Sequence, residues 1–178
     1  SSPDRAYHRW LQVEGSSGSG KSSLVFAGLL PMIQQGGLWS STGFEHWSIF
    51  EPMTPSLDPV LQLAEVIERG LQDDATRRDS LDRYRRFETD ERALTFSLRD
   101  SRVDSQAFLL VIDQFEELFT FAKASARRQF DALLANALAD PDCPFFVITT
   151  VRSDFLDRFE LLPRLQAVYN QICKRYLL

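Results

Sequence analysis

The stretch Gly15-Ser16-Ser17-Gly18-Ser19-Gly20-Lys21-Ser22 meets every fixed position of the pattern G-x-x-x-x-G-K-[ST]. Its flanks match what that pattern needs. Trp10-Leu11-Gln12-Val13-Glu14 reads as a short strand, and Ser23-Leu24-Val25-Phe26-Ala27-Gly28-Leu29-Leu30 carries a helical apolar stripe. Glycines let a backbone wrap tightly around an anion, so that successive N–H groups point inward. The helix that starts near Lys21 adds its free N–H groups and the positive end of its dipole. The competing reading is a Gly/Ser linker that spells the motif by chance, and the strand and helix on either side argue against it. The loop from Gly15 to Ser23 is therefore a candidate phosphate site. In it Lys21 would reach the outer phosphates and the Ser22 hydroxyl would ligate Mg²⁺.

At 178 residues, with 44% hydrophobic and 25% charged residues, the chain is long enough for one domain with a sizeable core. A net charge of -5 argues against a broad nucleic-acid-binding surface. The two cysteines, Cys143 and Cys173, form no Cys-x-x-Cys pair and read as ordinary thiols of a reducing cytoplasm. No apolar run approaches the length of a membrane span, and no signal peptide is visible. Because the sequence starts at Ser1 without Met, it is expected to be an excised piece of something longer.

Along the chain, Pro31 falls inside the first helical pattern and predicts a kink or restart near Leu30, with Gly36-Gly37 ending the helix. Trp47-Ser48-Ile49-Phe50 is a second strand candidate, and Pro52, Pro55 and Pro59 force an extended loop after it. A helix is expected from Asp58 to Gly70. Residues 72–92 are crowded with Asp and Arg and read as a solvated helix face laced with i,i+4 pairs, anchored on Leu81, Tyr84 and Phe87. A short helix around Glu91 to Leu98 follows. The run Phe108-Leu109-Leu110-Val111-Ile112 is unbroken and apolar, as strands buried on both faces of a parallel sheet are. A helix is predicted over 124–139, then the strand Phe145-Phe146-Val147-Ile148 leading to Thr149-Thr150-Val151-Arg152, then a tail of amphipathic pieces. Strands alternating with helices give a three-layer α/β fold with a mainly parallel sheet.

Asp113 ends the apolar run where a parallel sheet exposes its carboxyl edge, which suits it to hold Mg²⁺ opposite Ser22. The alternative is an aspartate that caps the following turn. The distance in sequence from Lys21 to Asp113 leaves room for a further strand and its helices, the layout of the additional-strand P-loop ATPases. The residue after Asp113 is Gln114, so the acid pair common in active ATPases is absent and hydrolysis is expected to be slow. Glu116 or Glu117 could orient the attacking water, or both could be first-turn acids of a helix, and the two readings stay open. Arg152 closes the last strand, where it could touch a γ-phosphate, or it could form a surface salt bridge with Asp154 or Asp157. His8 and His46 have no partners for a triad or metal cluster, and no lysine sits in the guanine-reading pattern, so ATP is preferred over GTP.

These motifs together resemble the STAND ATPases, a branch of the AAA+-related P-loop proteins, and within them the novel STAND NTPase domains of large bacterial proteins. The resemblance rests on Val13 to Val25 with Gly28-Leu29-Leu30-Pro31, on Leu110-Val111-Ile112-Asp113-Gln114-Phe115-Glu116-Glu117-Leu118-Phe119, and on Thr149 to Phe155. It implies Lys21 and Ser22 as the Walker A pair, Asp113 as the Walker B acid and Arg152 as a sensor. It further implies an ATP/ADP-driven switch with Mg²⁺, nucleotide-dependent homo-oligomerisation, and attached sensor domains (often WD repeats) and effector domains. In that family a base-holding segment precedes the first strand, and helical and winged-helix parts follow the sheet. Residues 1–178 are therefore expected to be a truncated NTPase domain. Two other functions compete: a nucleotide-independent scaffold that docks partners, and a small-molecule kinase whose lid would be the arginine-rich segment 77–86.

Overall fold

In a computed structural model, residues 8–71 and 80–178 are described, and they build a five-stranded, wholly parallel sheet. The strands are β1 (Trp10–Gly15), β2 (His46–Ile49), β3 (Gln106–Ile112), β4 (Phe145–Arg152) and β5 (Cys173–Leu177), and their order is β2-β3-β4-β1-β5. β4 thus lies between the loop-bearing strand and the strand that leads to Asp113, which is the additional-strand arrangement.

The run Ala107 to Ile112 has no polar residue because both faces of β3 are covered. Its side chains alternate with the pleat. Phe108, Leu110 and Ile112 join Trp10, Val147 and Val151 in the larger core, with α4 (Pro59–Leu71), α6 (Ala93–Ser101), α8 (Ala124–Ala139) and α9 (Pro163–Ile172) over them. Ala107, Leu109 and Val111 face the other way, packing with Val13, Phe146 and Ile148 under Val25, Leu30 and Ile33 of the helical segment after the loop. Each buried Leu, Ile or Val contributes about 1.5–3 kcal/mol, so the two layers together hold the sheet whose edge carries the loop.

The helical segment after the loop does restart where Pro31 requires it. A short α1 (Lys21–Ser23) widens into a π-helical stretch, Leu24–Leu29, before α2 (Leu30–Gln34) resumes with Pro31 in its first turn. Pro31 has no N–H to donate, and the preceding slip to a five-residue bond, Leu30 N–H to Val25 O, absorbs the lost register. The end at Gly36-Gly37 is a Schellman turn: Gly37 N–H donates to Met32 O at 3.0 Å, Gly36 N–H to Ile33 O at 3.0 Å, and Gly36 sits at φ 83°. After β2 the proline-rich loop stays in register with β3, since Met53 N–H donates to Val111 O at 3.0 Å and Asp113 N–H to Met53 O at 2.8 Å.

Three expectations need correction. The tail is not only amphipathic helix: Ser153–Leu161 is 3₁₀, α9 follows, and the chain then returns as β5, paired in parallel with β1. Of α5 (Ser80–Thr89), Phe87 is buried and Tyr84 half-buried, but Leu81 lies exposed and is not an anchor. Arg83 leaves the solvated face to pair with buried Glu68 of α4 at 2.5 Å, because a buried carboxylate needs a cation more than a surface does. Asp73, Asp74, Arg77, Arg78 and Asp79 lie outside the described residues.

Candidate nucleotide site

The loop turns at Gly18 (φ 74°) and Gly20 (φ 89°), and a Cβ at either would meet nothing within 4 Å, so it is the backbone conformation rather than space that calls for glycine. Gly15 differs: a Cβ there would lie 2.6 Å from Ser19 Oγ and 3.2 Å from Leu178 O. The Lys21 ammonium is folded back into the loop, donating to Ser16 O at 2.7 Å and Gly15 O at 3.2 Å. Lys21 is buried, and these two carbonyls take two of its three N–H donors, offsetting part of the cost of holding a charge away from water.

Across the β1–β4–β3 edge, Ser22 Oγ donates to Asp113 Oδ1 at 2.8 Å. The contact follows from register. Ile112 lies opposite Thr149, and Thr150 lies opposite Val13, so Asp113, one residue past Ile112, comes beside Thr150 just short of where the loop leaves β1 at Gly15. A second hydroxyl converges on the same oxygen, because Thr150 Oγ1 donates to Asp113 Oδ1 at 2.6 Å. Thr150 Oγ1 also accepts the Gln114 N–H at 2.8 Å, and Thr150 O accepts the Phe115 N–H at 2.8 Å. These bonds hold Gln114 at φ 53°, a left-handed conformation that costs a non-glycine residue about 1 kcal/mol or more. Asp113 caps no helix here; its carboxylate faces Ser22, and it is Thr150 that closes the turn.

Glu116 is buried, and its Oε2 accepts the Arg152 N–H at 3.2 Å. Glu117 is half-buried and opens the four-residue helix α7 (Glu117–Thr120). Its carboxylate has no hydrogen-bond or ion-pair partner among the described residues. Arg152 Nε and Nη2 reach Asp154 Oδ1 and Oδ2 at 3.1 and 2.7 Å, and the guanidinium lies 5.3 Å from the Phe155 ring centroid. The salt bridge with Asp154 that the sequence allows is therefore present, and Arg152 still lines the same cleft as the loop.

That cleft has a volume of about 660 Å³ and is lined by Ser17, Gly18, Gly20, Lys21, Ser22, Ser23, Gln114, Glu116, Glu117, Thr120, Phe121, Thr150, Arg152 and Phe155. Gly15, Ser16 and Ser19 of the loop do not line the cleft, and Ser19 Oγ is buried without a partner among the described residues. Sequence reasoning missed Thr150, Phe121 and Phe155. Thr150 stood two positions before the arginine that drew attention, and its partner Gln114 is distant in sequence. The donor types suit a hard cation: the Ser22 hydroxyl, which lines the cleft, and the Asp113 carboxylate oxygen bonded to it. Among the residues lining the cleft, Glu116 and Glu117 balance Lys21 and Arg152, and Asp113, which is not one of them, is bonded to Ser22 and Thr150, which are. Away from the site, burial pushes the Cys143 and Cys173 thiols up to about 12, in keeping with inert thiols.

Over residues 4–178 the chain matches the family model described as Novel STAND NTPase 1. The chain belongs to this family. Among solved structures, the domain is similar to the ORC2 protein of Aeropyrum pernix, determined as ADPNP–ADP complexes. That match has a TM-score of 0.54 and 14% identity, and covers 98% of this chain but 43% of the other. It supports the AAA+-like fold and no more. No curated protein gives a match. Among the described residues, no helix of this NTPase domain is long and apolar enough to cross a membrane.

Proposed function

We propose that the domain binds Mg²⁺–ATP in this cleft, hydrolyses it slowly, and uses the difference between ATP and ADP as a switch. The observation that carries the reading is the approach of Ser22 Oγ to Asp113 Oδ1, 2.8 Å, at the foot of the glycine loop. Main-chain N–H groups from Gly18 to Ser22 would hold the phosphates, and the Lys21 ammonium, now on two carbonyls, would transfer to the outer phosphates. Ser22 and Asp113 would hold Mg²⁺, which when bound neutralises charge on the phosphate oxygens. Glu117 is the better placed of the two glutamates to take a proton from water, since Glu116 is committed to the Arg152 N–H. Gln114 stands beside Asp113 where a second acid would speed turnover, so the rate is low and the bound state long-lived.

Family membership supports extending this to a larger cytoplasmic signalling protein: a base-holding segment upstream, helical and winged-helix parts downstream, ATP-dependent self-association, and sensor and effector domains. The kinase alternative loses part of its lid, because Arg83 is spent on Glu68.

The test is phosphate release from saturating ATP. Lys21→Ala should abolish it, and Glu117→Gln should slow it roughly ten- to hundred-fold while Glu116→Gln does less. Phosphate appearing on an added small-molecule acceptor instead of in water would establish the kinase reading. ATP neither bound nor hydrolysed by folded wild-type protein would leave the scaffold.

A further inference from the structure

We propose that Asp154 is a positioning residue that sets the preference for ATP over ADP by fixing the guanidinium of Arg152 against the cleft. The inference rests on the reading of Arg152 as the residue that meets the γ-phosphate. Arg152 leaves β4 at its last position, with its N–H tied to Glu116 Oε2 at 3.2 Å, so its Cα is held but its long side chain is not. Asp154, two residues on in the first turn of the 3₁₀ segment, takes Nε–H and one Nη2–H with its two oxygens, at 3.1 and 2.7 Å. That is one side of the fork. A guanidinium has five N–H groups, so both Nη1 protons and the second Nη2 proton remain for another acceptor. One face of the plane lies over the Phe155 ring, 5.3 Å from its centroid, and Arg152 and Phe155 both line the cleft that contains Lys21 and Ser22. The salt bridge and the ring thus hold the arginine by one edge and one face and leave its end for an anion.

An exposed pair of this kind adds little to fold stability. Its effect falls on binding, because an arginine already ordered loses less freedom when it meets the phosphate. The opposite arrangement, a latch that a phosphate must break, would require Asp154 to occupy the end of the fork, and it occupies the side.

The experiment measures the affinities of the full chain for Mg²⁺–ATP and Mg²⁺–ADP by calorimetry in wild type, D154A, D154N, R152A and R152A/D154A. D154A should lower the ATP:ADP affinity ratio about three- to ten-fold with ADP binding unchanged. D154N, which still offers Oδ1 to Nε–H, should recover part of the ratio, and D154A should do nothing further in the R152A background. An unchanged ratio in D154A, a raised one, or the same loss without Arg152 overturns the proposal. A wild-type ratio in R152A would show instead that Arg152 does not read the γ-phosphate, and the role of Asp154 would fall with it.

Discussion

At the scale of single residues, the informative side chain is one that carries no motif. Thr150 is fully buried, donates to Asp113 and accepts from a backbone N–H held in a left-handed turn, so one hydroxyl serves both the acid and the turn beside it. Thr150→Val keeps the volume and removes both bonds, leaving the Gln114 N–H without its acceptor. The expected cost is about 1–3 kcal/mol of unfolding free energy, read by urea denaturation, with slower phosphate release. Thr150→Ser should recover most of both. Retained stability in Thr150→Val would mean that the turn is held elsewhere.

At the scale of elements, the helix after the loop tests whether conformation or contact governs its glycines. Gly36 sits at φ 83°, and a Cβ there would meet nothing within 4 Å, so Gly36→Ala is strained by backbone alone and should cost about 1 kcal/mol. Gly28 lies inside the helical segment, where a Cβ would meet only Leu24 Cδ1 at 3.6 Å. Gly28→Ala should be neutral or stabilise by up to about 1 kcal/mol. Chemical denaturation of the pair checks both, and equal losses would contradict the argument. Elements differ in how far the sequence reveals them. β1, β3 and β4 show as apolar or alternating runs because neighbours cover them. β5 does not, because it is an edge strand: Lys174, Arg175, Tyr176 and Leu177 are exposed, and the pairing that makes it a strand is supplied by β1. Within the site, Ser22 and Asp113 could be matched from spacing and the carboxyl-edge rule. The Asp154 bond to Arg152 was readable only as one option among two, and the Thr150 contacts depend on cross-strand register, which no local pattern encodes.

At the scale of the whole molecule, two cores of unequal size hold a sheet whose order puts three carboxyl ends side by side: the loop after β1, Arg152 at the end of β4, Asp113 after β3. In the proposed reading the glycine loop supplies dipoles, Lys21 and Arg152 supply charge, and Ser22 with Asp113 would hold the divalent cation that accompanies the phosphates. The most direct measurement is calorimetric titration of the chain with ATP, in Mg²⁺ and in EDTA, for wild type and Asp113→Asn. The asparagine keeps an oxygen for Ser22 and Thr150 but removes the charge, so the fold should persist. Wild type is expected to bind at least about ten-fold more tightly with Mg²⁺, and Asp113→Asn should erase that difference. An undiminished Mg²⁺ effect in Asp113→Asn would contradict the account.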